Sequence, residues 1–528
     1  MNSANAILKF LSIVMSATLM SGLANGESAF PTASSSTPRS ITILHTNDIH
    51  GHLTSWTGWE GELMGKSVGG YARLAGRIRE LRSAVGEDKV LLLDAGDTIG
   101  DAMVAVETEG RAIIEVMNAM RYDAMVIGNH EPDFTAETLR ARIDGANFPV
   151  LAANIRNRTG RLFTKPYVVR EVNGVRVGIL GIAYPNTPLT SAKRNVVGLV
   201  FEDAVETART YLPQMRRDGA EILVALTHLG LSADKDLAEK VPDIDVIVGG
   251  HSHNRMKEAL RVGKTLIVQA GAHGSDLGRL DLTIDQGRVV ASASSLIPML
   301  EGETDDTVAA IVEKYHGEYR NALDERVGRA AGFIIRAQTL PGQSPEKRDA
   351  ESPADDLFTD AIREITGAQI AFLPGLGYGV AFRPGDITAA DLRNLIPHDS
   401  AVWTMELTGA QIRQVLEQAI ENFSSKDIKK KVGGMIQMSG LHFSYRTDAP
   451  QGRRVQEATV GGQPISANRM YTVAVNGLLA EGGHNYAAFT KGSKRRELGK
   501  QYEVVKAWLA RRSEVVAPAT DRITKLPD

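Results

Sequence analysis

The chain has 528 residues, which exceeds one ordinary domain and predicts roughly two to four. Its 60 basic and 63 acidic residues give a net charge of −3, and only 5% of the residues are aromatic. Because nucleic-acid binding needs a basic surface or stacking rings, we expect no nucleic-acid partner. The chain contains no cysteine, which excludes disulfides, thiolate metal sites, a Cys nucleophile and a lipoprotein anchor.

The first 26 residues have the pattern of a secretory signal peptide. A mildly positive start is followed by apolar or small residues at 10–23, and Ala24-Asn25-Gly26 offers a cleavage site. Residues 27–39 are rich in Ser and Pro and predict a disordered leader. No later apolar run is long enough to cross a membrane. We therefore expect a periplasmic or secreted protein without membrane attachment after cleavage.

Residues 40–302 predict an α/β catalytic domain, because strand and helix patterns alternate along them. Residues 40–44 alternate polar and apolar as a half-buried strand does, whereas 89–94 form a continuous apolar run typical of a strand buried on both faces. A helix is predicted at 110–121, with Ile113, Ile114, Met117 and Met120 on one face. Residues 278–285 and 288–296 predict a closing antiparallel pair.

Five strands of this domain are followed by polar side chains that can bind metal. Because the carboxyl ends of parallel strands meet at one edge of a sheet, we expect these side chains to converge there. Five of the twelve histidines of the chain fall at these few positions. The residues are Asp48, His50, Asp97, Asn129, His130, His228, His251 and His253.

These donors are oxygen and nitrogen without sulfur, which suits Mn²⁺, Zn²⁺, Fe or Co²⁺ and leaves the identity of the metal open. Eight positions are too many for one ion and enough for two, so we predict two divalent metal ions about 4 Å apart. Asp97, which lies between the flanking groups in the sequence, is the candidate for the bridging carboxylate. Phosphoryl transfer to water is the reaction that such a centre serves best.

Residues 303–326 are charged and periodic and predict an isolated linker helix. Residues 327–528 then predict a second domain. Its predicted helices are 354–367, 388–396 and 408–423, the last capped by Thr408, and its strands are 369–373, 403–407, 439–445 and 471–475.

Five short motifs resemble, in order, the signature of the calcineurin-like metallophosphoesterases. They are Asp48-Ile49-His50, Gly96-Asp97, Gly128-Asn129-His130-Glu131, His228 and Gly250-His251-Ser252-His253. The stretch from His45 to His52 resembles, more narrowly, the secreted 5′-nucleotidase family, and the similarity extends over nearly the whole mature chain. The resemblance implies a four-layer α/β/β/α metallophosphoesterase sandwich followed by an α+β substrate domain of the 5′-nucleotidase type. It also implies hydrolysis of a small-molecule phosphate ester, either a 5′-nucleotide or a related phosphomonoester or nucleotide sugar, by metal-activated hydroxide. Nothing in the sequence indicates an oligomeric state.

The same resemblance implies roles for individual residues. One ion would be held by Asp48, His50, Asp97 and His253, and the other by Asp97, Asn129, His228 and His251. His130, oriented by Asp133, would contact the phosphoryl group or the leaving oxygen as a charge stabiliser or general acid. His253 stands where some members carry Gln, and Pro132 stands where an aromatic is usual.

The second domain departs from the family at the positions that read the substrate. Residues 373–378 lack the arginine that binds phosphate in the family. A Leu within 476–480 stands where the family has a stacking aromatic, and His484 stands where it has an Asp. Because Leu offers no π-face, the two-ring clamp for a nucleobase is incomplete. The candidate substrate-binding residues are Gly377, Tyr378, Arg383 as the nearest substitute arginine, His398 in place of the first stacking ring, and Tyr486.

Three alternatives remain open at this stage. The departures fit sequence drift in a broad-specificity phosphatase. Pro374-Gly375-Leu376-Gly377-Tyr378-Gly379 also resembles a stretch of the related sulfur-oxidation thiosulfohydrolases, although the arginine of that stretch is missing too. A non-enzymatic metal-binding protein is the third, and the retention of His130 argues against it, because a binder has no use for this side chain.

Overall fold

Two six-stranded sheets form the centre of the N-terminal domain. The computed structural model describes residues 37–337, 348–376, 379–398 and 400–527. The first sheet has the order Arg288–Pro298, Asp276–Asp285, Arg39–Thr46, Val90–Asp94, Ala124–Val126, Val150–Leu151. The second has the order Leu260–Val262, Thr265–Val268, Val246–Val248, Ile222–Thr227, Val175–Ile182, Tyr167–Val172.

The two sheets pack face to face, because their central strands are apolar on both sides. Ile41, Ile43 and Leu91 of the first sheet share one buried cluster with Val177 and Val224 of the second. The opposite faces of the sheets, with Leu92 and Leu223 among them, belong to two other clusters that include helical residues. The order of layers is therefore helix, sheet, sheet, helix, as the sequence predicts.

The helices of this domain flank the sheets. They are Tyr71–Val85, Met103–Glu107, Arg111–Met120, Ala136–Gly145, Thr187–Thr190, Ala204–Arg217 and Leu231–Lys240. Arg111–Met120 buries Ile113, Ile114, Met117 and Met120, the four residues that the 3.6-residue period places on one face. Short pairs connect Trp56–Thr57 with Ser67–Val68 and Ile155–Asn157 with Leu199–Phe201.

The helix predicted between the domains spans Asp306–Leu323, but it is not isolated. Its Val308, Tyr315 and Leu323 are buried in the same cluster as helices Tyr71–Val85 and Arg111–Met120. A periodic apolar stripe marks a helix that packs on a neighbour, and here the neighbour is the catalytic domain. The helix is present as predicted, but the prediction that it is isolated is wrong.

The C-terminal domain is an α+β structure around a five-stranded mixed sheet. The strand order is Gly434–Ser439, Ile370–Gly375, Met470–Asn476, Ala401–Thr408, Ser493–Lys500. A four-stranded sheet has the order Gln463–Pro464, Val455–Val460, Leu441–Tyr445, Ile523–Lys525. Two-stranded pairs join Arg326–Ala330 with Gly385–Thr388 and Ile334–Arg336 with Val380–Phe382.

Side-chain caps begin several helices of this domain. The helices are Pro353–Thr366, Ala389–Leu395, Gly409–Ser424, Gly477–Ala480, Ala487–Thr490 and Gln501–Leu509. Thr408 Oγ1 accepts a hydrogen bond from the Gln411 backbone N–H at 3.2 Å, and the Gln411 side chain accepts one from the Thr408 N–H. This reciprocal capping box confirms the N-cap predicted at Thr408.

The predicted signal peptide, 1–26, and most of the predicted leader, 27–39, lie outside the described residues. The first strand begins at Arg39. Across the described part of the chain, every helix is too short or too polar to traverse a lipid bilayer.

Candidate metal centre and active site

Both sheets direct the carboxyl ends of their parallel strands to one edge. In the first sheet, Arg39–Thr46 runs parallel to Val90–Asp94, and the latter runs parallel to Ala124–Val126. In the second, Ile222–Thr227 runs parallel to Val246–Val248. The loops after these five strands carry all eight sequence-predicted metal-site residues, and the structure brings them together.

The loops adopt a backbone conformation that is uncommon outside glycine. A positive φ in a non-glycine residue costs free energy and persists where the surrounding structure imposes it, often at functional sites. Six of the polar residues at this edge have φ between 51° and 79°, namely Asp48, His50, Asp97, Asp101, His251 and His253. The turns that bring these side chains together therefore carry a cost in backbone conformational free energy.

The side chains form two adjacent groups. Asp48, His50 and His253 place ligating atoms within 4.8 Å of one another, and so do Asp97, His228 and His251. Asp48 Oδ1 lies 3.4 Å from His253 Nε2 and 3.9 Å from His228 Nε2, so the two groups touch. A pair of metal sites that share ligands fits this spacing.

Two buried acceptors in the centre have no hydrogen-bond partner, Asn129 Oδ1 and His228 Nε2. His228 Nδ1 lies 2.7 Å from the Ala95 carbonyl oxygen, which only accepts, so Nδ1 carries the proton and Nε2 presents a lone pair. That lone pair faces Asp97 Oδ2, another acceptor, at 2.9 Å. Because two acceptors repel at this distance unless a cation lies between them, the donor set fits a divalent metal.

Without a metal ion, a proton takes this place on His228. Burial lowers the pKa of His228, but the Asp97 and Asp48 carboxylates oppose this effect and raise the pKa to about 9. For Asp97, burial raises the pKa, but His228, His130 and His50 outweigh burial and hold the pKa well below its ordinary value. The centre therefore stabilises positive charge next to Asp97.

Two motif glycines are required by close approach. A Cβ on Gly128 would lie 2.2 Å from Asp97 Oδ1. A Cβ on Gly250 would lie 2.8 Å from the Ala95 carbonyl oxygen and 3.1 Å from Asp48 Oδ2. Any larger residue would displace the metal-binding loops.

Glu131 fixes the loop that carries Asp97, a role that the sequence does not reveal. Its carboxylate is 1% exposed and accepts hydrogen bonds from the backbone N–H groups of Asp97 at 2.9 Å, Thr98 at 2.7 Å and Gly128 at 2.6 Å. The fourth residue of the Gly128–Glu131 motif therefore holds the two strand-end loops together.

Asp101 is a second buried carboxylate that sequence reasoning missed. It accepts a hydrogen bond from His50 Nδ1 and lies 3.6 Å from His398 Nδ1. Burial raises the pKa of Asp101, but His130, His398 and His50 outweigh burial and lower it. Asp101 follows no strand directly and belongs to no metal motif, so only the three-dimensional structure links it to the site.

His130 lies beside the centre rather than within either group. Its Nδ1 is 2.8 Å from Asp133 Oδ2, and its Nε2 is 3.9 Å from Asp97 Oδ2. Burial lowers the pKa of His130, whereas Asp101, Asp97 and Asp133 together raise it well above its ordinary value. A protonated imidazole at this position can stabilise negative charge on a phosphoryl group.

A cavity of about 420 Å³ lies over the centre, between the two domains. His398 lines it, as does Leu478, one of the two leucines in the segment 476–480. Arg348, which was not predicted, also lines it and donates from Nη2 to the His251 carbonyl oxygen at 3.3 Å.

Two other candidate substrate residues, Arg383 and Tyr486, lie away from this cavity. Arg383 is exposed and donates to Thr57 Oγ1 at 3.5 Å, and Tyr486 is 1% exposed in the core of the C-terminal domain beside Phe489. Neither is among the described residues that line the cavity. Gly377 and Tyr378 lie outside the described residues.

Comparison with known families places both domains. Residues 41–255 match the model of the calcineurin-like phosphoesterases, and residues 327–491 match that of the 5′-nucleotidase C-terminal domain. Residues 41–255 form a calcineurin-like phosphoesterase domain, and residues 327–491 form a 5′-nucleotidase C-terminal domain. The predicted family and fold class are confirmed, and the chain is a metal-dependent hydrolase of phosphoric esters.

Three known proteins are similar to this chain. The trifunctional nucleotide phosphoesterase protein YfkN of Bacillus subtilis (strain 168) is 29% identical over 531 residues, 91% of this chain, and the chain spans only 34% of that protein. The 5′-nucleotidase precursor of Thermus thermophilus superimposes with a TM-score of 0.83 at 26% identity, covering 93% of this chain and 100% of its own. The sulfate thiohydrolase SoxB of the same organism has a TM-score of 0.82 at 24% identity, covering 92% and 97%, which shows a common fold.

Proposed function

We propose that this phosphoesterase is an exported two-metal hydrolase of 5′-nucleotides or related phosphomonoesters and nucleotide sugars. The observation that carries the proposal is the buried acceptor Asn129 Oδ1, which has no hydrogen-bond partner among the described residues, together with His228 Nε2, which faces the Asp97 carboxylate at 2.9 Å. Both are ligands of the second ion in the assignment made from the sequence. The spacing of the first group, Asp48, His50 and His253, also supports the proposal of two metal sites.

In this proposal Asp97 belongs to both metal sites. Asp48, His50 and His253 complete one site, and Asn129, His228 and His251 complete the other. When bound, the two divalent ions (Mn, Zn, Co or Fe) would supply Lewis acidity to the phosphoryl oxygens and lower the pKa of the attacking water. The buried loops and the Glu131 hydrogen bonds keep the ligands at fixed separations, so little reorganisation is needed for the reaction.

His130 and Asp133 act on the phosphoryl group or on the leaving oxygen. The Asp133 carboxylate accepts from His130 Nδ1, which leaves Nε2 directed toward the side of Asp97. A protonated Nε2 stabilises the charge that develops in the transition state, or gives its proton to the departing alkoxide. The Asp101 and Asp133 carboxylates, which lie beside His130, raise its pKa and favour this protonated form.

The cavity over the centre receives the remainder of the ester. Arg348 brings a guanidinium to its wall and is our candidate for the phosphate contact that residues 373–378 lack. The family resemblance puts His398 and a Leu within 476–480 where the two stacking rings would stand, so base recognition by a full aromatic clamp is not expected. This combination favours a phosphatase of broad specificity toward the leaving group.

One substrate panel tests the proposal. Purified protein loaded with Mn²⁺, Co²⁺ or Zn²⁺ would be assayed for phosphate release from AMP, ADP, a nucleotide sugar and p-nitrophenyl phosphate. A thiosulfonated peptide in the same panel tests the thiosulfohydrolase alternative. We expect release from several esters and two metal ions per active chain. No phosphate from any ester, or full activity with one ion, would contradict the proposal.

Export is tested separately by expressing the full chain and comparing its mass in cellular fractions. Recovery from the periplasm or medium of a chain that lacks residues 1–26 is the expected result. Retention of the full-length chain in the cytoplasm contradicts it.

A further inference from the structure

A third group of metal-ligating atoms lies next to the centre already described. Asp101, His130, Asp133 and His398 each offer one ligating atom, and all four atoms lie within 4.8 Å of one another. Asp133 Oδ2 is 2.8 Å from His130 Nδ1 and 3.2 Å from His398 Nδ1. Asp101 Oδ1 is 3.6 Å from His398 Nδ1 and 4.0 Å from His130 Nδ1.

These separations suit one small tetrahedral ion. With Zn–N and Zn–O distances of about 2.0–2.1 Å, the ligand atoms of a tetrahedral site lie about 3.3 Å apart. The four separations above, between 2.8 and 4.0 Å, bracket that value. Two imidazole nitrogens and two carboxylate oxygens are a donor set that Zn²⁺ and Co²⁺ accept, whereas Mg²⁺ prefers oxygen ligands and water.

The group joins the two domains. Asp101, His130 and Asp133 belong to loops of the catalytic domain, whereas His398 follows helix Ala389–Leu395 of the C-terminal domain. The His130 and His398 rings are stacked, with centroids 4.5 Å apart and planes 6° from parallel, and each Nδ1 lies within 4.0 Å of both Asp101 and Asp133. The His398 side chain is 30% exposed and lines the central cavity, which gives an ion a path from solvent.

We propose that Asp101, His130, Asp133 and His398 bind a third divalent ion of the Zn²⁺ type, which closes the C-terminal domain onto the catalytic domain and inhibits the enzyme. Binding replaces the protons that His130 Nδ1 and His398 Nδ1 hold toward Asp133 Oδ2 with the metal ion, and these protons leave to solvent. Asp133 then no longer orients His130 for the substrate, and the closed cavity cannot exchange its contents. The inhibitory part of the proposal rests on the function proposed above, whereas the metal site itself does not.

Metal counting tests the site without reference to activity. The full chain would be titrated with Zn²⁺ under equilibrium dialysis, and with Co²⁺ while visible absorption reports tetrahedral coordination. We expect three ions per chain, the third weaker than the first two, and a tetrahedral Co²⁺ spectrum that appears with the third. Two ions at saturation in the wild-type chain would overturn the proposal.

His398→Phe is the decisive variant, because it keeps a ring on His130 and removes both nitrogen donors. We expect this variant to bind two ions. If a third ion still binds, its affinity should be lower than in the wild type by about tenfold or more. His442→Phe removes an exposed imidazole of the same domain, in strand Leu441–Tyr445, and should still bind three. A third ion of equal affinity in His398→Phe contradicts the proposal.

A second measurement concerns inhibition. Excess Zn²⁺ should inhibit wild-type and His442→Phe at the same concentration. His398→Phe should need a Zn²⁺ concentration at least about tenfold higher for the same fractional inhibition, measured relative to its own metal-replete rate. Equal Zn²⁺ sensitivity of the two variants would overturn the inhibitory role. If no ester is hydrolysed but the metal count falls from three to two in His398→Phe, the proposed function fails and the third site stands.

Discussion

His50 Nδ1 donates a hydrogen bond to the carboxylate of Asp101, a residue outside every metal motif of the sequence. The bond fixes the tautomer of His50 and leaves Nε2 as the ligating atom, 3.1 Å from His253 Nε2. We predict that Asp101→Ala lowers metal affinity or kcat/KM by about 10- to 100-fold. Chelator competition and initial rates measure this. Asp101→Asn can still accept the bond and should lose less, whereas equal losses would mean that charge and not orientation is the contribution.

Replacement of the shared carboxylate has a larger effect. Asp97→Asn keeps the shape of the side chain but removes the negative charge that we assign to both ions, so turnover should be abolished and metal content should fall. Metal analysis of the purified variant, together with phosphate release, checks this. A variant that retains two tightly bound ions would refute the bridging role of Asp97.

His130→Ala separates chemistry from metal binding. Because His130 is assigned to the substrate and not to the two catalytic ions, the variant should keep both ions and lose about 10²- to 10⁴-fold in kcat. Asp133→Asn should show a smaller loss, since the imidazole remains. Loss of a catalytic ion in His130→Ala would show that the residue is a ligand after all.

Glu131→Gln tests the hydrogen bonds that hold the Asp97 loop. One Glu131 oxygen becomes an amide NH₂ group that faces backbone N–H donors, so we expect a loss of about 1–3 kcal/mol in the free energy of unfolding. Urea unfolding measures it. Glu137→Gln, at an exposed position in helix Ala136–Gly145, is the matched control and should be near neutral. Equal stability of the two variants contradicts the role.

Asp356, fully buried in helix Pro353–Thr366, makes stability depend on pH. Burial, with Glu351 and Asp355 nearby and Arg522 opposing, raises the pKa of Asp356 from 3.8 to about 9. Between these values the folded chain keeps a proton that the unfolded chain releases, so stability falls as pH rises through this window.

Asp356→Asn has no such proton, so its free energy of unfolding should fall less steeply between pH 5 and pH 9 than that of the wild type. The two slopes should differ by up to about 1.4 kcal/mol per pH unit. Thermal unfolding across this range measures the difference. Parallel stability profiles for wild-type and Asp356→Asn would refute the assignment.

The sequence predicts the strand ends well because two signals coincide there. A buried apolar run such as Val90–Asp94 stands out by composition, and the residues after it carry the metal donors. The helix at 408–423 was predicted within one residue at each end, since Thr408 and Gln411 form a local capping box.

Other features depend on contacts between distant residues. Strand Ser493–Lys500 is exposed and rich in charge, as edge strands often are, so no alternation marks it. Asp101 and Arg348 reach the site from loops without any periodic signal, and only the fold brings them to His50 and His251. The sequence predicts that His398 contacts substrate, and this stays a prediction; the packing of its ring against His130 and Asp133 of the other domain is not encoded by local sequence.

The left-handed backbone at Asp48, His50, Asp97, His251 and His253 has a consequence for what these positions tolerate. Asp, Asn and His are the side chains other than glycine that enter this region most readily. The choice of residue at each position is therefore restricted by two requirements: a metal-binding donor atom and tolerance of the left-handed backbone. A Glu at 48 or a Thr at 251 would still bring an oxygen, yet the main chain would resist it. Apart from the Gln that some members carry at position 253, homologous enzymes that exchange ligands here should draw on Asp, Asn and His first, whichever metal they use.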